Sequence, residues 1–514
     1  MPLRLRFFLL TASTLAVLGS GCVRKQFFQA DALPDAALPL STTADTVRGA
    51  TAGRQYARHG GLYNALVGQH HRRTWAAPVT APVLRLAQVQ PGGLHPGKIG
   101  GGFNSTSLGL TAANGPAYVL RTVDKDPIRA MPEWLRGTFL VNALRDNVSS
   151  TNPYASLVVP PLATAVGVPR AAPRLFYVRP DDPAFQTDSL RHFRGQLAYL
   201  EEKAAVMPDA MAPAAVVNSG KVFTTMFNGP ACRLDQVALL RARLLDGWLG
   251  DWDRHPGQWS WAEYAKTETD LTTVSPLPKD RDMVFYRVDD GILGWLIGHV
   301  ALPHWATFGP RYRQASGLMA SGHYLDRRGL NSLSRAQFQA VARAMQQLLP
   351  DTLINRAVQR LPPAVFALEG PRTIAALQAR RAELPALADL FYRLQARRAV
   401  VGGTAQPERF EIHRYADSTV VNVYPGPAAG PAAPLLYHRA FFASETHVIQ
   451  LESLGGDDVF VVEEHASNFA SRPKIRIYGG PGADELHGPQ HSRGISFQQG
   501  SAPAKAAYDK LPEE

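Results

Sequence analysis

The chain has 514 residues, 45% of them hydrophobic and 19% charged. That mixture excludes a disordered or fibrous protein, and the length accommodates two or three domains. The net charge of +11 suits anionic partners such as phosphates or acidic lipid. The basic residues are scattered and form no aromatic-interleaved stripe, so nucleic acid is not an expected partner.

Residues 1–22 read as a targeting segment. Arg4 and Arg6 form a positive n-region, Phe7–Leu18 an apolar run, and Gly19-Ser20-Gly21 precede Cys22. The run is too short to span a bilayer, which fits a lipoprotein signal cleaved ahead of a lipid-bearing Cys22. The expectation is a protein lipid-anchored in the cell envelope, at the outer membrane, with envelope proteins or phosphorylated substrates as partners. Cys232 is the only other cysteine, so no intrachain disulfide is expected.

Residues 23–60 read as a flexible tether, rich in Ala, Thr, Pro and Gly. Residues 61–203 follow as a β-rich lobe. Gly100-Gly101-Gly102 precede a strand at Ser107–Leu110, and Asn114-Gly115 turns the chain into a second strand, Ala117–Val123. Glycines before a strand let backbone N–H groups approach phosphate. Arg121 and Lys125 lie on or just past that second strand, where a phosphate-pairing cation would be wanted. A helix is expected over Leu157–Val168 and strands over Leu175–Val178 and Gln196–Leu200.

Residues 204–402 read as a helical lobe built around LLDGWLGDWDRHPGQWSW, residues 244–261. Val237, Leu240, Leu244 and Trp248 share one helix face, with Asp235 as N-cap and Gly250 as the stop. The polar cluster Asp251, Asp253, Arg254, His255 and Gln258 follows. Trp259 and Trp261 then alternate as on a strand, and Asp280 and Asp282 stand beyond a hairpin. Two acidic loops joined by a hairpin can converge on one divalent cation bound to phosphates. The competing reading of Asp251, Asp253 and Arg254 is a buried ion pair that pins a loop. His70-His71 and the His487…His491 pair have no metal-spaced partners and read as surface histidines.

Ser334 and Gln337 form a capping box opening a helix, and another helix runs from Ile374 to about residue 399. Residues 403–488 read as a small β domain. Within it, Gly455-Gly456-Asp457-Asp458 and Gly479–Asp484 look like calcium β-roll turns. Two copies fall short of an array, so plain turns are expected and calcium is not. Residues 489–514 read as a disordered tail.

GDWDRHPGQW, at 250–259, resembles the catalytic loop of atypical kinases of the CotH, HipA, phosphatidylinositol 4-kinase type II and secretory-pathway kinase group. Asp280-x-Asp282-x-x-Phe285 resembles the metal-binding loop of the CotH form. The blocks GGLHPGKIGGGFNSTSL, YVLRTVDKDP, PKDRDMVFY and GGDDVF are similar to segments of Bacteroidetes-type envelope proteins. The resemblance implies an α+β, two-lobed kinase-like fold followed by the small β domain. It implies Asp253 at the acceptor hydroxyl, with Asp280, Asp282 and Gln258 on Mg²⁺ or Mn²⁺. Gly100, Gly101, Gly102, Arg121 and Lys125 would hold the phosphates of a nucleotide such as ATP. Three departures stand out: arginine at 121, no glutamate in the Leu157–Val168 helix to pair with it, and Gln258 in place of Asn or Asp. The expected activity is phosphoryl or nucleotidyl transfer to an unspecified acceptor. The alternatives are a catalytically inactive kinase-fold scaffold in the envelope and a metal-dependent phosphoesterase.

Overall fold

The computed structural model describes residues 26–34, 40, 41, 43–100, 107–112, 116–203, 212–264, 272–300, 302, 307–426, 434–466, 472–489 and 493–510. Cys22, Gly101, Gly102 and the Asn114-Gly115 turn lie outside them. Helices and strands are mixed throughout, an α+β composition.

A five-stranded antiparallel sheet opens the molecule. Its strands are β1 (Leu94–Gly100), β2 (Ser107–Ala112), β3 (Tyr118–Thr122), β4 (Arg174–Tyr177) and β5 (Leu197–Glu202). Their order is β1-β2-β3-β5-β4. Leu108, Leu120, Leu200, Phe185 and Phe193 form its dry face, each at most 1% exposed. Between β3 and β4 lie α1 (Leu140–Asn147) and α2 (Val159–Ala165). Pro160 and Pro161 sit in the first turn of α2, where a missing N–H costs nothing.

A second sheet carries the acidic loops. It is made of β6 (Ala215–Asn218), β7 (Cys232–Leu234), β8 (Trp259–Glu263) and β9 (Thr272–Pro278), in the order β6-β8-β9-β7. Helix α3 (Ser219–Asn228) links β6 to β7, and α4 (Gln236–Leu249) follows β7. Asp235 caps α4 by accepting from the Ala238 N–H, and Gly250 closes it at φ +76°. Helices at Arg335–Leu348, Pro363–Ala382 and Leu384–Ala396 pack around α4, and Asp351–Val358 packs on Pro363–Ala382, completing the largest core. Among the described residues, no helix is long and apolar enough to cross a membrane.

Two facing sheets are formed by the C-terminal strands. They are β10 (Arg398–Gly402), β11 (Glu408–Arg414), β12 (Ser418–Pro425), β13 (Tyr437–Phe442), β14 (Val448–Glu452), β15 (Val459–Glu464), β16 (Lys474–Tyr478), β17 (Glu485–His487) and β18 (Ile495–Gln498). One sheet, β10-β14-β16-β18, is parallel throughout; the other, ordered β13-β12-β11-β15-β17, is parallel except where β11, β12 and β13 pair antiparallel. Phe410, Ile412, Ile449, Leu451 and Phe460 fill the space between them. The Gly-Gly turns stack: the Ala483 N–H donates to Asp457 Oδ1 at 2.9 Å, and the Asp458 N–H to Asp484 Oδ1 at 3.2 Å.

Several sequence expectations are corrected. The stretch read as a tether holds the strand Thr46–Ala50, paired with Val79–Pro82, and a buried Asp31-Ala32. Residues 61–67 are helical, where β structure was expected. The expected boundary at 402–403 is no linker, because Val401 is fully buried and the Gly403 N–H donates to the Glu452 carbonyl. The tail read as disordered contributes β18 and a buried Tyr508. For the strand at Thr46–Ala50, Val401, Gly403 and the tail, the partners lie in other segments, so local composition carries no sign of them.

Candidate active site

The site forms where the first sheet faces the two acidic loops. Gly100 pairs with Ser107 and Ser107 with Arg121, so Gly100 and Arg121 stand at the same end of the sheet. Arg121 Nη1 is ion-paired with Glu201 Oε1 of β5 at 3.1 Å and with Asp280 Oδ1 at 3.3 Å. Lys125 Nζ pairs with Asp282 Oδ2. Glu201 is thus the acid that no glutamate of α2 supplies. Strand alternation places Glu201 and Tyr199 on one face, and Tyr199 is directly across from Arg121. The register is set by strand pairing, so the sequence alone does not point to Glu201.

The two acidic loops are tied by Arg254, which is fully buried. Its Nη1 donates to the Lys279 carbonyl at 2.8 Å and the Asp280 carbonyl at 3.2 Å. Its Nε donates to Asp246 Oδ2 at 3.1 Å, and its guanidinium lies 4.6 Å from the Trp259 ring centre. Asp246 also pairs with Arg243 at 3.4 Å and Arg281 at 2.5 Å, and Arg243 pairs with Asp326 at 2.7 Å. None of Arg243, Asp246, Arg281 or Asp326 was singled out from sequence, because their partners come from four separate segments.

Asp251 belongs to this buried framework. Its nearest cations are 3.8 and 3.9 Å away, and among the described residues neither carboxylate oxygen has a hydrogen-bond partner. Burial pushes its pKa well above the carboxylate range. Asp253 is partly exposed, with His255 Nε2 at 3.9 Å. Burial raises its pKa, Asp282 and Asp280 add to the rise, and His255 and Arg254 oppose it. Burial acts on Asp280 as well, but Arg121, Lys125 and Arg254 outweigh it and hold that carboxyl below its usual value. Asp280 has a left-handed backbone, φ +45°. Gln258 enters through its backbone, its carbonyl accepting from the Lys279 N–H at 2.9 Å.

A cavity of about 270 Å³ adjoins these groups, lined by Arg121, Lys125, Asn147, Tyr199, Trp252 and Asp282 among others. Trp248, Trp259 and Trp261 are core residues, as expected, whereas Trp252 turns toward this cavity. His255 braces the loop, its Nδ1 accepting from the Gly257 N–H at 3.1 Å. His70 and His71 are not on the surface. Both are buried, His70 against Asp290 at 2.6 Å and His71 against Glu369 at 3.4 Å. His487 pairs with Glu485 at 2.8 Å.

Asp280 and Asp282 each give one oxygen to a protein cation, which leaves the other free to ligate. Glu201, Asp253, Asp280 and Asp282 gather hard oxygen donors beside Arg121, Lys125, Arg254 and Lys279. That donor set fits Mg²⁺ or Mn²⁺.

No protein-family model matches the chain, and no curated protein matches it. Among solved structures it is similar to the proinflammatory kinase CtkA of Helicobacter pylori, at 11% identity and a TM-score of 0.33. That match covers 60% of this chain and 98% of that one. It is also similar to the Rio2 kinase of Chaetomium thermophilum, solved as an ADP/Mg²⁺-phosphoaspartate complex, at 13% identity and a TM-score of 0.23. Here the coverage is 57% of this chain and 71% of that one.

Proposed function

We propose that residues 61–402 form a two-lobed, atypical kinase-like unit that transfers a phosphoryl or nucleotidyl group from a nucleotide to an acceptor hydroxyl. The carrying observation is the contact of Arg121, from the third strand of the first sheet, with Asp280 of the second acidic loop. Phosphoryl transfer asks the protein for positioning and charge neutralisation, and cations and acids meet at this place. Gln258 stands five residues after Asp253, the spacing of the catalytic-loop Asp and its amide partner in kinases.

Asp253 would orient the hydroxyl and accept its proton; burial raises its carboxyl above the ordinary value, the direction that suits a base. Asp280, with Asp282 and Gln258, would hold Mg²⁺, which neutralises phosphate charge when bound. Arg121 and Lys125 would complete that neutralisation, and Gly100–Gly102 would cover the phosphates. Two carboxyls pushed in opposite directions is the pattern expected of separate base and metal-anchor roles. The N-terminal sequence supports lipidation at Cys22 and an envelope location.

A second reading, the inactive scaffold, draws on one observation: Arg121 and Lys125 are both already committed to carboxylates. A thermal-shift series separates the two. Nucleotide with Mg²⁺ raises the melting temperature of the wild type, since a ligand that binds only the native state stabilises it. Asp280→Asn abolishes the shift. Asp253→Asn keeps the shift and loses transfer. Absence of a shift with every nucleotide supports the scaffold, and a metal shift without nucleotide, with hydrolysis of a generic phosphoester, supports a phosphoesterase.

A further inference from the structure

Well away from the acidic loops in sequence, three donors converge on the second C-terminal sheet. His413 lies on β11 and Glu463 directly beside it on the parallel neighbour β15. His465 follows two residues after Glu463, and its N–H donates to the Arg414 carbonyl at 2.8 Å. His413 Nδ1 is 3.0 Å from Glu463 Oε2 and 3.3 Å from His465 Nε2. The third side of the triangle, His465 Nε2 to Glu463 Oε2, is 3.4 Å.

We propose that His413, Glu463 and His465 form a zinc-class metal site. The distances carry the argument. A tetrahedral ion bound at ~2.0–2.1 Å holds its donors ~3.3–3.4 Å apart, and the three observed sides fall at or slightly inside that spacing. Two imidazoles and one carboxylate suit Zn²⁺ better than Ca²⁺ or Mg²⁺, which take oxygen-only shells. The imidazoles are also supported from behind. Glu411 Oε2 lies 3.6 Å from the other ring nitrogen of His413, and Arg409 Nε donates to Glu411 at 3.0 Å. The Tyr415 ring stacks on His465 at 4.8 Å and 13°. Such outer partners orient metal-binding histidines. The His413 and His465 rings are 27° from parallel, so a modest rotation about χ2, a soft torsion, aims both lone pairs at one ion.

His465 and Glu463 are exposed and His413 half-buried, so the fourth corner faces solvent. Three protein ligands with an open position is the arrangement of a zinc site that accepts water or an outside donor. The ion would also clip β11 to β15, tying together His413 and Glu463, fifty positions apart in sequence.

The test uses the full chain, stripped with a chelator and titrated with Zn²⁺, then with Co²⁺ as an optical probe. One equivalent binds, and Co²⁺ gives the visible absorption of a tetrahedral histidine site. His465→Ala lies past the end of β15, so it leaves the strands intact. It weakens binding beyond the ~10–100-fold that loss of an outer partner costs, while circular dichroism stays unchanged. Glu463→Gln weakens it too, and His487→Ala does not. Asp280→Asn keeps the Co²⁺ spectrum, which separates this site from the acidic loops and makes its outcome independent of the transfer reaction. No stoichiometric uptake, or equal uptake by wild type and His465→Ala, overturns the proposal.

Discussion

Arg121 and Asp280 meet at 3.3 Å, although 159 residues separate them (280 − 121). The contact closes the first sheet onto the second acidic loop, and Glu201 braces it from the neighbouring strand at 3.1 Å. Lys125 and Asp282 repeat the same sheet-to-loop pairing alongside. Sheet and loops therefore hold each other electrostatically around the cavity.

Arg121→Ala leaves Glu201 and Asp280 close together without their shared cation. Breaking a buried pair by removing one partner costs about 3–5 kcal/mol. The Arg121 side chain keeps 22% of its surface exposed, so a loss of about 2–3 kcal/mol is expected. Adding Glu201→Gln to Arg121→Ala recovers part of it. Urea unfolding of both single variants and the double variant reads this out; strict additivity would show that the pair is uncoupled.

Asp246 supports Arg243, Arg254 and Arg281 from a fully buried position. Asp246→Asn removes the charge that offsets three guanidinium groups. The expected loss is at least about 3–5 kcal/mol, the cost of stranding a buried charge. A chain that unfolds at the wild-type denaturant midpoint would contradict the role given to this residue.

Gly250 ends α4 in the left-handed region at φ +76°, and a Cβ there would stand 3.0 Å from Phe308 Cδ2. An L-residue in that conformation costs about 1–2 kcal/mol. Gly250→Ala is expected to lower stability by about that amount and to displace the Asp251–Asp253 loop. The loop displacement is read as a weakened nucleotide-induced thermal shift.

The C-terminal sheets have a pH response of their own. Burial pushes Glu408 and Asp458 up to about 7, from ordinary values of 4.5 and 3.8. Both groups hold protons more tightly folded than unfolded. Their contribution is therefore full below about pH 4 and is lost as pH rises through 7. Melting at pH 5 should occur above melting at pH 8, and Glu408→Gln with Asp458→Asn should flatten that difference. Sheets more stable at pH 8 would show that another group controls the response.

The sequence by itself determined the local pieces of this protein. Asp235, the apolar face of α4 and Gly250 specify a helix with its start and stop, and Ser334 with Gln337 forms the capping box that opens another. The acidic clusters around Asp253 and Asp280 stood out in the sequence, whereas Arg254, Asp246 and Arg281 tie their loops together across 25 or more positions. Short-range hydrogen bonding and periodicity are written in adjacent residues. Tertiary structure alone decided which distant groups meet. Glu201 reads as a strand-end charge until β5 lies beside β3. The two Gly-Gly turns look isolated until parallel pairing stacks them. His413 has no visible partner until β15 docks alongside β11 and delivers Glu463 and His465. Strand neighbours and register are fixed by burial of apolar faces across the whole chain, and a one-residue slip would turn each of these side chains to the opposite face.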